Sequence, residues 1–81
     1  MKKFFVYVLI SKKNSRIYIG QTADLEKRML VHNQGFCRST KPYRPWVIGY
    51  HEIVKSRSLA VIRERYLKSA AGRKFLRTTI L

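Results

Sequence analysis

Seven consecutive apolar residues, Phe4 to Ile10, constrain the fold of this chain more than any other feature. An apolar run without polar alternation is typical of a strand that is covered on both faces and lies centrally in its sheet. The lysines before the run imitate the start of a secretory signal, but no small-residue cleavage site follows, and the run is too short to span a bilayer. A buried first strand is therefore the favoured interpretation.

A second apolar run, Ile17 to Ile19, follows a short polar connection and predicts a strand that pairs with the first as a β-hairpin. Gly20 ends this run with a residue that is free to take a positive φ, so a turn is expected there. Spacing does not fix the register of the hairpin. Whether Tyr7 and Tyr18 share a face of the sheet therefore stays open at this point.

A helix is predicted to begin after Asp24 and to end near Gly35. Aspartate suits the N-cap because its carboxylate accepts hydrogen bonds from first-turn amides, and glycine commonly ends a helix. Arg28 and His32 are four residues apart, so they share one helix face, and both are expected to point toward the sheet edge instead of into water. A cation and a titratable imidazole would then act on the same small volume.

The loop from Phe36 to Pro45 separates this helix from the next apolar segment. Hydroxyls and cations in an exposed loop suit contacts with phosphate, although a plain solvated linker fits the composition equally well. The candidate phosphate contacts in this loop are Arg38, Ser39, Thr40 and Lys41. Trp46 to Val54 then favours a third strand, with Gly49 as a bulge or close-approach point.

Two helical segments are predicted after the third strand. The first is capped by Ser56 or Ser58, reaches about Ala71 and ends at Gly72. Its predicted buried stripe consists of Leu59, Ile62, Tyr66, Leu67 and Ala70. A last helical segment is predicted over Arg73 to Leu81, although its threonines are poor helix formers.

Charge is the strongest signal in the composition, with 18 Lys and Arg against 4 Asp and Glu and a formal net charge of +14. A phosphate backbone would relieve the resulting self-repulsion, so nucleic acid is favoured as the partner over an anionic membrane. An RNA- or ribosome-associated protein and a merely solvated basic surface stay open. The 81 residues suit one domain over 1–81, and the lone Cys37 excludes an internal disulfide and favours a cytoplasmic setting.

The four carboxylates of the chain narrow the choice of a metal ligand. Asp24 is explained as a helix cap, Glu26 as a first-turn charge and Glu52 as an exposed strand residue. Glu64 remains as the candidate ligand, because a hard divalent cation needs at least one carboxylate oxygen. Pairing with Lys68 one helical turn later explains Glu64 at least as well.

Several short motifs occur along the chain in a recognisable order. They are Phe5-Val6-Tyr7, Tyr18-Ile19-Gly20, Asp24-Leu25-Glu26-Lys27-Arg28 with His32-Asn33, and Arg63-Glu64-Arg65-Tyr66-Leu67-Lys68. Together they resemble the GIY-YIG nuclease superfamily, and most closely its small single-domain bacterial members, which are related to the N-terminal domain of the excinuclease C subunit. Two positions depart from the family pattern, since Phe5 replaces the first glycine and the C-terminal asparagine of some members has no counterpart.

This resemblance implies an α/β fold, more narrowly α+β, with a three-stranded antiparallel sheet flanked by helices. It also implies hydrolysis of nucleic-acid phosphodiester bonds, chiefly of DNA, in repair or recombination, with one divalent ion, Mg²⁺ or Mn²⁺. The implied catalytic residues are Tyr7, Tyr18, Arg28, His32 and Glu64, of which Glu64 is the metal ligand. Gly20 and Lys68 join the loop residues as candidate phosphate contacts.

The resemblance also assigns roles to these residues. Tyr7 would orient or deprotonate the attacking water, and Tyr18 would lie near the scissile phosphate. Arg28 would bind that phosphate, while His32 would assist proton transfer. Because acids are sparse and no separate recognition domain is evident, a non-catalytic DNA- or RNA-binding module of the same fold stays open as the alternative, with a protein partner supplying specificity or chemistry.

Overall fold

The computed structural model describes residues 3–80, so Met1, Lys2 and the last residue of the predicted terminal segment, Leu81, lie outside it. In chain order the elements are β1 (Phe4–Ser11), β2 (Ile17–Thr22), α1 (Leu25–Gln34), a 3₁₀ turn (Lys41–Tyr43), β3 (Trp46–Val54), α2 (Arg57–Lys68) and α3 (Ala70–Ile80). The strands form an antiparallel sheet in the order β2-β1-β3. The predictions of an α+β fold and of a central first strand are therefore confirmed.

The central strand β1 separates two apolar clusters, because its successive side chains point to opposite faces of the sheet. Val6 and Val8 are fully buried and pack with Ala60, Leu67 and Leu76 from α2 and α3. On the other face, Tyr7 and Leu9 pack with Trp46, and two residues of α1, Leu25 and Met29, lie against this second cluster. The fold thus places Tyr7 on the face of the sheet that α1 covers.

The register of the hairpin shows that both motif tyrosines share this face. Tyr7 pairs with Gly20, and Leu9 pairs with Tyr18. The prediction of a turn at Gly20 is wrong, because β2 continues through it to Thr22. Its lack of a side chain serves packing instead: a Cβ there would lie 2.5 Å from the Tyr7 hydroxyl.

Both predicted ends of α1 are confirmed. Asp24 is the N-cap, and its Oδ1 accepts a hydrogen bond of 3.0 Å from the amide of Lys27. Gly35 ends the helix in the left-handed region at a φ of 84°, which favours glycine, and its amide donates to the carbonyl of His32. The helix that carries Arg28 and His32 is therefore bounded as expected.

The third strand and its bulge also agree with the sequence. Val8 pairs with Tyr50 and Leu9 pairs with Ile48, so Gly49 is the extra residue of β3 at this shift of register. A Cβ at Gly49 would lie 2.6 Å from Cδ1 of Ile10. Gly49 is thus both a bulge and a close-approach point.

The boundary between the last two helices differs from the prediction. Ser56 caps α2, with its hydroxyl accepting from the amide of Leu59 at 3.2 Å, but α2 ends at Lys68 and α3 already begins at Ala70. Gly72, the predicted terminator, is buried within α3, where a Cβ would overlap the carbonyl of Tyr66. Glycine is needed there for close contact between α3 and the end of α2.

The predicted buried stripe of α2 is largely wrong. Leu67 is fully buried, but Leu59, Ile62 and Tyr66 are 46%, 61% and 37% exposed, and Ala70 is exposed as well. The buried side of the helix is set by Ala60 and Leu67, which lie two turns apart. No helix among residues 3–80 is long and apolar enough to cross a membrane.

Candidate active site

A buried chain of hydrogen bonds links β1, α1 and the following loop. The hydroxyl oxygen of Tyr7 lies 3.1 Å from Nε2 of His32, and both side chains are buried. Nδ1 of His32 lies 2.9 Å from Oγ1 of Thr40, which in turn donates to the carbonyl of Cys37 at 3.3 Å. These hydrogen bonds connect Tyr7 through the His32 imidazole to Thr40, which lies 33 positions after Tyr7 in the sequence.

The hydroxyl of Thr40 sets which atoms donate and which accept in these hydrogen bonds. A threonine hydroxyl has one hydrogen, and when Thr40 gives it to the Cys37 carbonyl, Oγ1 accepts from His32 Nδ1–H. Nε2 is then unprotonated and accepts the hydroxyl hydrogen of Tyr7. Burial lowers the pKa of His32, and the nearby charge of Arg28 lowers it further, so the imidazole is neutral near pH 7 and free to accept a proton.

Tyr18 extends this chain into an aromatic cluster. Its ring centroid lies 4.9 Å from that of His32 and 6.3 Å from that of Tyr7, and it contacts Trp46 at 6.4 Å. Burial raises the pKa of both phenols above their ordinary value, so both hydroxyls are protonated in the resting protein. Tyr18 is only partly buried, which leaves it the more accessible tyrosine of the pair.

Arg28 borders the cluster from the surface. It lies one turn before His32 on α1 but is exposed, so the prediction that both side chains turn away from water holds for His32 alone. Its positive charge favours the phenolate forms of Tyr7 and Tyr18, lowering their pKa against the effect of burial. The guanidinium is therefore an exposed cation close enough to act on both hydroxyls.

Glu64 is paired and also close to the site. Its Oε2 accepts from Nζ of Lys68 at 2.7 Å, so the alternative interpretation of Glu64 as half of a helix ion pair is confirmed. Its negative charge nevertheless raises the pKa of both Tyr7 and Tyr18, which means that it lies within electrostatic range of the phenols. Glu64 is therefore an ion-pair partner at the border of the tyrosine cluster.

The structure allows a test of whether these residues suit a divalent metal ion. Residues 3–80 contain no group of three or more His, Cys, Asp or Glu that could hold one. Mg²⁺ keeps several waters and needs only one or two carboxylates, and the Glu64 side chain is 21% exposed. Glu64 thus fits as a single carboxylate ligand, provided that Lys68 releases it.

Glu52 is not the exposed strand residue that the sequence predicted. Nε and Nη2 of Arg63 donate to its two carboxylate oxygens at 2.8 and 2.6 Å, and the hydroxyl of Tyr50 donates to it at 2.6 Å. These contacts, chiefly the bond from Arg63, hold the pKa of Glu52 below its ordinary value. The Glu52 carboxylate thus joins β3 to α2 through Arg63, the residue before Glu64. Glu52 is therefore unsuitable as a metal ligand because it is paired with Arg63, and not because it is an exposed strand residue.

Two of the predicted phosphate contacts are contradicted. Thr40 is fully buried and spends its hydroxyl on His32 and Cys37, and Gly20 is buried beneath the Tyr7 hydroxyl. Neither can meet a phosphate, because their polar or open sides already face protein atoms. The other candidates are exposed and stay predictions, namely Arg38, Ser39, Lys41 and Lys68.

The residues that hold the loop against the site are not predicted by the sequence patterns above. The side-chain amide of Asn33 donates to the carbonyl of Trp46 at 3.1 Å and accepts from its amide at 2.7 Å. Nε1 of Trp46 donates to the carbonyl of Thr40 at 2.9 Å. The one available signal was that Asn33 follows His32 directly and that Trp46 is the only tryptophan of the chain.

Comparison with known proteins assigns this arrangement to a family. The family model described as the GIY-YIG catalytic domain matches residues 3–76, and the chain belongs to that family. A UPF0213 protein of Staphylococcus haemolyticus is 37% identical over 78 residues, which are 95% of this chain and 94% of the relative. A UPF0213 protein of Staphylococcus saprophyticus is 35% identical over 78 residues, with the same shares.

A solved structure supports the same fold. The solution NMR structure of a UPF0213 protein from Bacillus halodurans superposes with a TM-score of 0.57 at 24% identity and covers 94% of this chain and 83% of that chain. At this identity the likeness concerns the fold, a three-stranded antiparallel sheet with helices. The predicted resemblance to small GIY-YIG members is thereby confirmed.

Proposed function

We propose that this protein is a metal-dependent endonuclease that hydrolyses phosphodiester bonds of nucleic acid, in the first place DNA. The observation that carries the proposal is the hydrogen bond from Tyr7 to a neutral, buried His32, with the exposed cation of Arg28 beside it. Membership of the GIY-YIG catalytic domain family and a net charge of +14 support a nuclease-type role on a phosphate polymer. Repair or recombination of DNA in the cytoplasm is the setting we propose.

The buried hydrogen bonds provide a path for the proton of the attacking water. His32 accepts the hydroxyl proton of Tyr7 at Nε2 while Thr40 keeps Nδ1–H in place. The phenolate of Tyr7 then takes a proton from the water that attacks phosphorus. Burial opposes the first of these transfers, because it raises the pKa of Tyr7 and lowers that of His32. The charge of Arg28 favours the phenolate but disfavours the protonated imidazole.

Arg28 and Glu64 complete the proposed chemistry. The planar guanidinium of Arg28 binds two phosphate oxygens at once and stabilises the charge that grows on them in the transition state. Glu64 would hold the divalent ion, which supplies further neutralisation of charge on the phosphate and the leaving oxygen. Tyr18 would hydrogen-bond to a phosphate beside the Tyr7 hydroxyl, a role supported by its partial exposure and by the 6.3 Å between the two ring centroids.

Cleavage of supercoiled plasmid with Mg²⁺ or Mn²⁺ tests the proposal. We expect the wild-type protein to nick the plasmid. Tyr7→Phe should lose about 100-fold or more in rate, the contribution of a positioned acid or base. Glu64→Gln should lose most of the rate, because it removes the proposed carboxylate ligand of the metal ion. Tyr66→Phe, at an exposed tyrosine of α2, serves as the matched control and should keep the wild-type rate. If the wild-type protein cleaves the plasmid no faster than the Glu64→Gln variant, the proposal that this protein is an endonuclease is refuted.

The second candidate is a non-catalytic nucleic-acid-binding module, which is favoured by the ion pair between Glu64 and Lys68. If this pair does not open, the carboxylate is not available to a metal ion. Salt-dependent binding of DNA or RNA without metal-dependent cleavage would select this candidate. Comparing affinities for duplex DNA and structured RNA at the same salt concentration separates a DNA-directed module from a ribosome- or RNA-associated one.

A further inference from the structure

Five exposed cations meet at the end of the sheet where β1 and β2 are joined. We name this surface the turn patch, and its members are Lys12, Lys13, Arg16, Lys41 and Arg44. Two chain segments contribute to it, the β1–β2 connection and the loop that contains the 3₁₀ turn. They are held together by a backbone hydrogen bond of 2.8 Å from Lys12 to Pro45 and by the Ser11 hydroxyl, which donates to the Tyr43 carbonyl at 2.6 Å.

Neutral groups hold three of these cations in place. Nζ of Lys13 donates to the carbonyl of Pro42 at 3.2 Å, and Nε of Arg44 donates to the carbonyl of Lys41 at 3.0 Å. The guanidinium of Arg16 lies over the ring of Tyr43 at 4.4 Å. Each contact restricts a long side chain without cancelling its charge, so less entropy is lost when the side chain meets an anion.

Two cations outside the turn patch, in contrast, form ion pairs with carboxylates. Over residues 3–80 both ion pairs involve cations of α2, where Arg63 is paired with Glu52 of β3 and Lys68 with Glu64 of the same helix. The concave surface within the turn patch is lined by Lys13, Lys41 and Arg44 together with two prolines. The patch is thus a pre-ordered positive surface whose charge is not neutralised by these acids.

The turn patch is also joined directly to the candidate active site. Lys41 follows Thr40, whose hydroxyl meets His32. Arg16 precedes Tyr18 by two residues, which is about 7 Å along a strand. The turn patch and the candidate site are therefore neighbours along both chain segments.

We propose that the turn patch binds the backbone phosphates of duplex DNA that flank the cleaved phosphate. This inference rests on the proposed function for the choice of nucleic acid, but it concerns residues outside the tyrosine cluster. Contacts of this kind set the register of a duplex and carry no base specificity. The patch therefore gives the protein a way to hold DNA of any sequence across its site.

The test is the salt dependence of duplex binding without divalent metal, so that no cleavage occurs. The patch variant removes three cations that do not stack on an aromatic ring: Lys13→Gln, Lys41→Gln and Arg44→Gln. The control variant removes three exposed cations on other surfaces: Lys55→Gln, Lys74→Gln and Arg77→Gln. Both variants carry the same net charge, so a difference between them reports position.

The wild-type plot of log affinity against log salt concentration should be steep. The patch variant should flatten its slope by about 2.7, at about 0.9 for each phosphate that the protein no longer neutralises. The control variant should keep the wild-type slope. Lys41→Gln alone, which retains the two hydrogen bonds to backbone carbonyls, should flatten the slope by about 0.9. The emission spectrum of the buried Trp46 shows whether each variant keeps its fold.

Two results would overturn the turn patch while leaving the nuclease proposal intact. One is that the folded Lys41→Gln and patch variants bind DNA with the wild-type affinity and the wild-type salt dependence. The other is an equal decrease of slope in the patch and control variants, which would indicate diffuse attraction by net charge. Absence of wild-type binding at low salt would also overturn the turn patch, whereas plasmid nicking with Mg²⁺ or Mn²⁺ decides the nuclease proposal separately.

Discussion

Replacing Thr40 with valine tests whether a loop hydroxyl fixes the state of His32. Both side chains are fully buried, and Oγ1 of Thr40 lies 2.9 Å from Nδ1. Valine keeps the shape of threonine but leaves the buried Nδ1–H without this acceptor, which costs about 1–3 kcal/mol of folding free energy. The tautomer whose Nε2 accepts from Tyr7 loses the same support, so cleavage should slow about 5- to 150-fold, corresponding to about 1–3 kcal/mol.

Two measurements follow this substitution independently. Urea unfolding monitored by the fluorescence of Trp46 gives the loss of stability, and plasmid nicking gives the loss of rate. Thr40→Ser retains the hydroxyl and should keep most of both. A Thr40→Val protein with the wild-type urea midpoint and rate would refute the reasoning, as would a serine variant that loses as much as the valine variant.

Three further predictions concern other contacts of the site. Burial and a neighbouring guanidinium hold the folded-state pKa of His32 below 6.5, so the folded protein binds fewer protons than the unfolded chain and stability should fall as pH drops below about 6.5. Urea midpoints at about pH 5 and about pH 7.5 should differ less in His32→Asn than in the wild type, and an equal difference in both proteins would contradict this assignment. Gly20→Ala should lower the melting temperature through about 1–3 kcal/mol of overpacking against the Tyr7 phenol, and an unchanged melting temperature would show that the phenol moves aside freely. Glu52→Gln should cost about 1 kcal/mol in urea unfolding, since its guanidinium partner is partly exposed, and a wild-type midpoint would show that the clamp contributes nothing.

Local signals were sufficient for the central strand, the first helix and the bulge. The apolar run at Phe4 to Ile10 needs cover on both faces wherever it lies, and Asp24 and Gly35 act on backbone groups within three residues of themselves. Gly49 likewise marks its own bulge. These predictions succeeded because the interactions that decide them are short in sequence.

The errors in the C-terminal half share one cause, which is that helical spacing does not identify the face that packs. Leu59 and Ile62 recur at the spacing expected of a buried stripe, yet the sheet receives the side of α2 that carries the small Ala60. Because glycine is frequent at helix ends, Gly72 is predicted to end a helix. In the structure it lies within α3, where contact with the carbonyl of Tyr66 leaves no room for a side chain. Both outcomes depend on tertiary neighbours that the chain order does not reveal.

The sequence predicts candidate residues for the site but not the connections between them. Helical spacing pairs Arg28 with His32 and the family resemblance adds Tyr7, but the hairpin register that turns both tyrosines to one face is not encoded by spacing. The burial of Thr40 depends on a hydrogen bond from Trp46 to its carbonyl, across a loop whose composition is that of an exposed linker. The groups that orient the candidate residues thus depend on tertiary contacts that the sequence does not reveal.

The edge strand β3 positions both halves of the candidate site, the half around His32 and the half around Glu64. Trp46 at its start is held by Asn33 and itself holds the loop that orients His32. Glu52, near its end, holds Arg63 and so positions the turn of α2 that carries Glu64. The His32 half and the Glu64 half of the candidate site are therefore both positioned by one strand that bears none of the candidate catalytic residues. A substitution in β3 that shifts its register against β1 should displace both halves together, whereas a change in either helix should disturb one half alone.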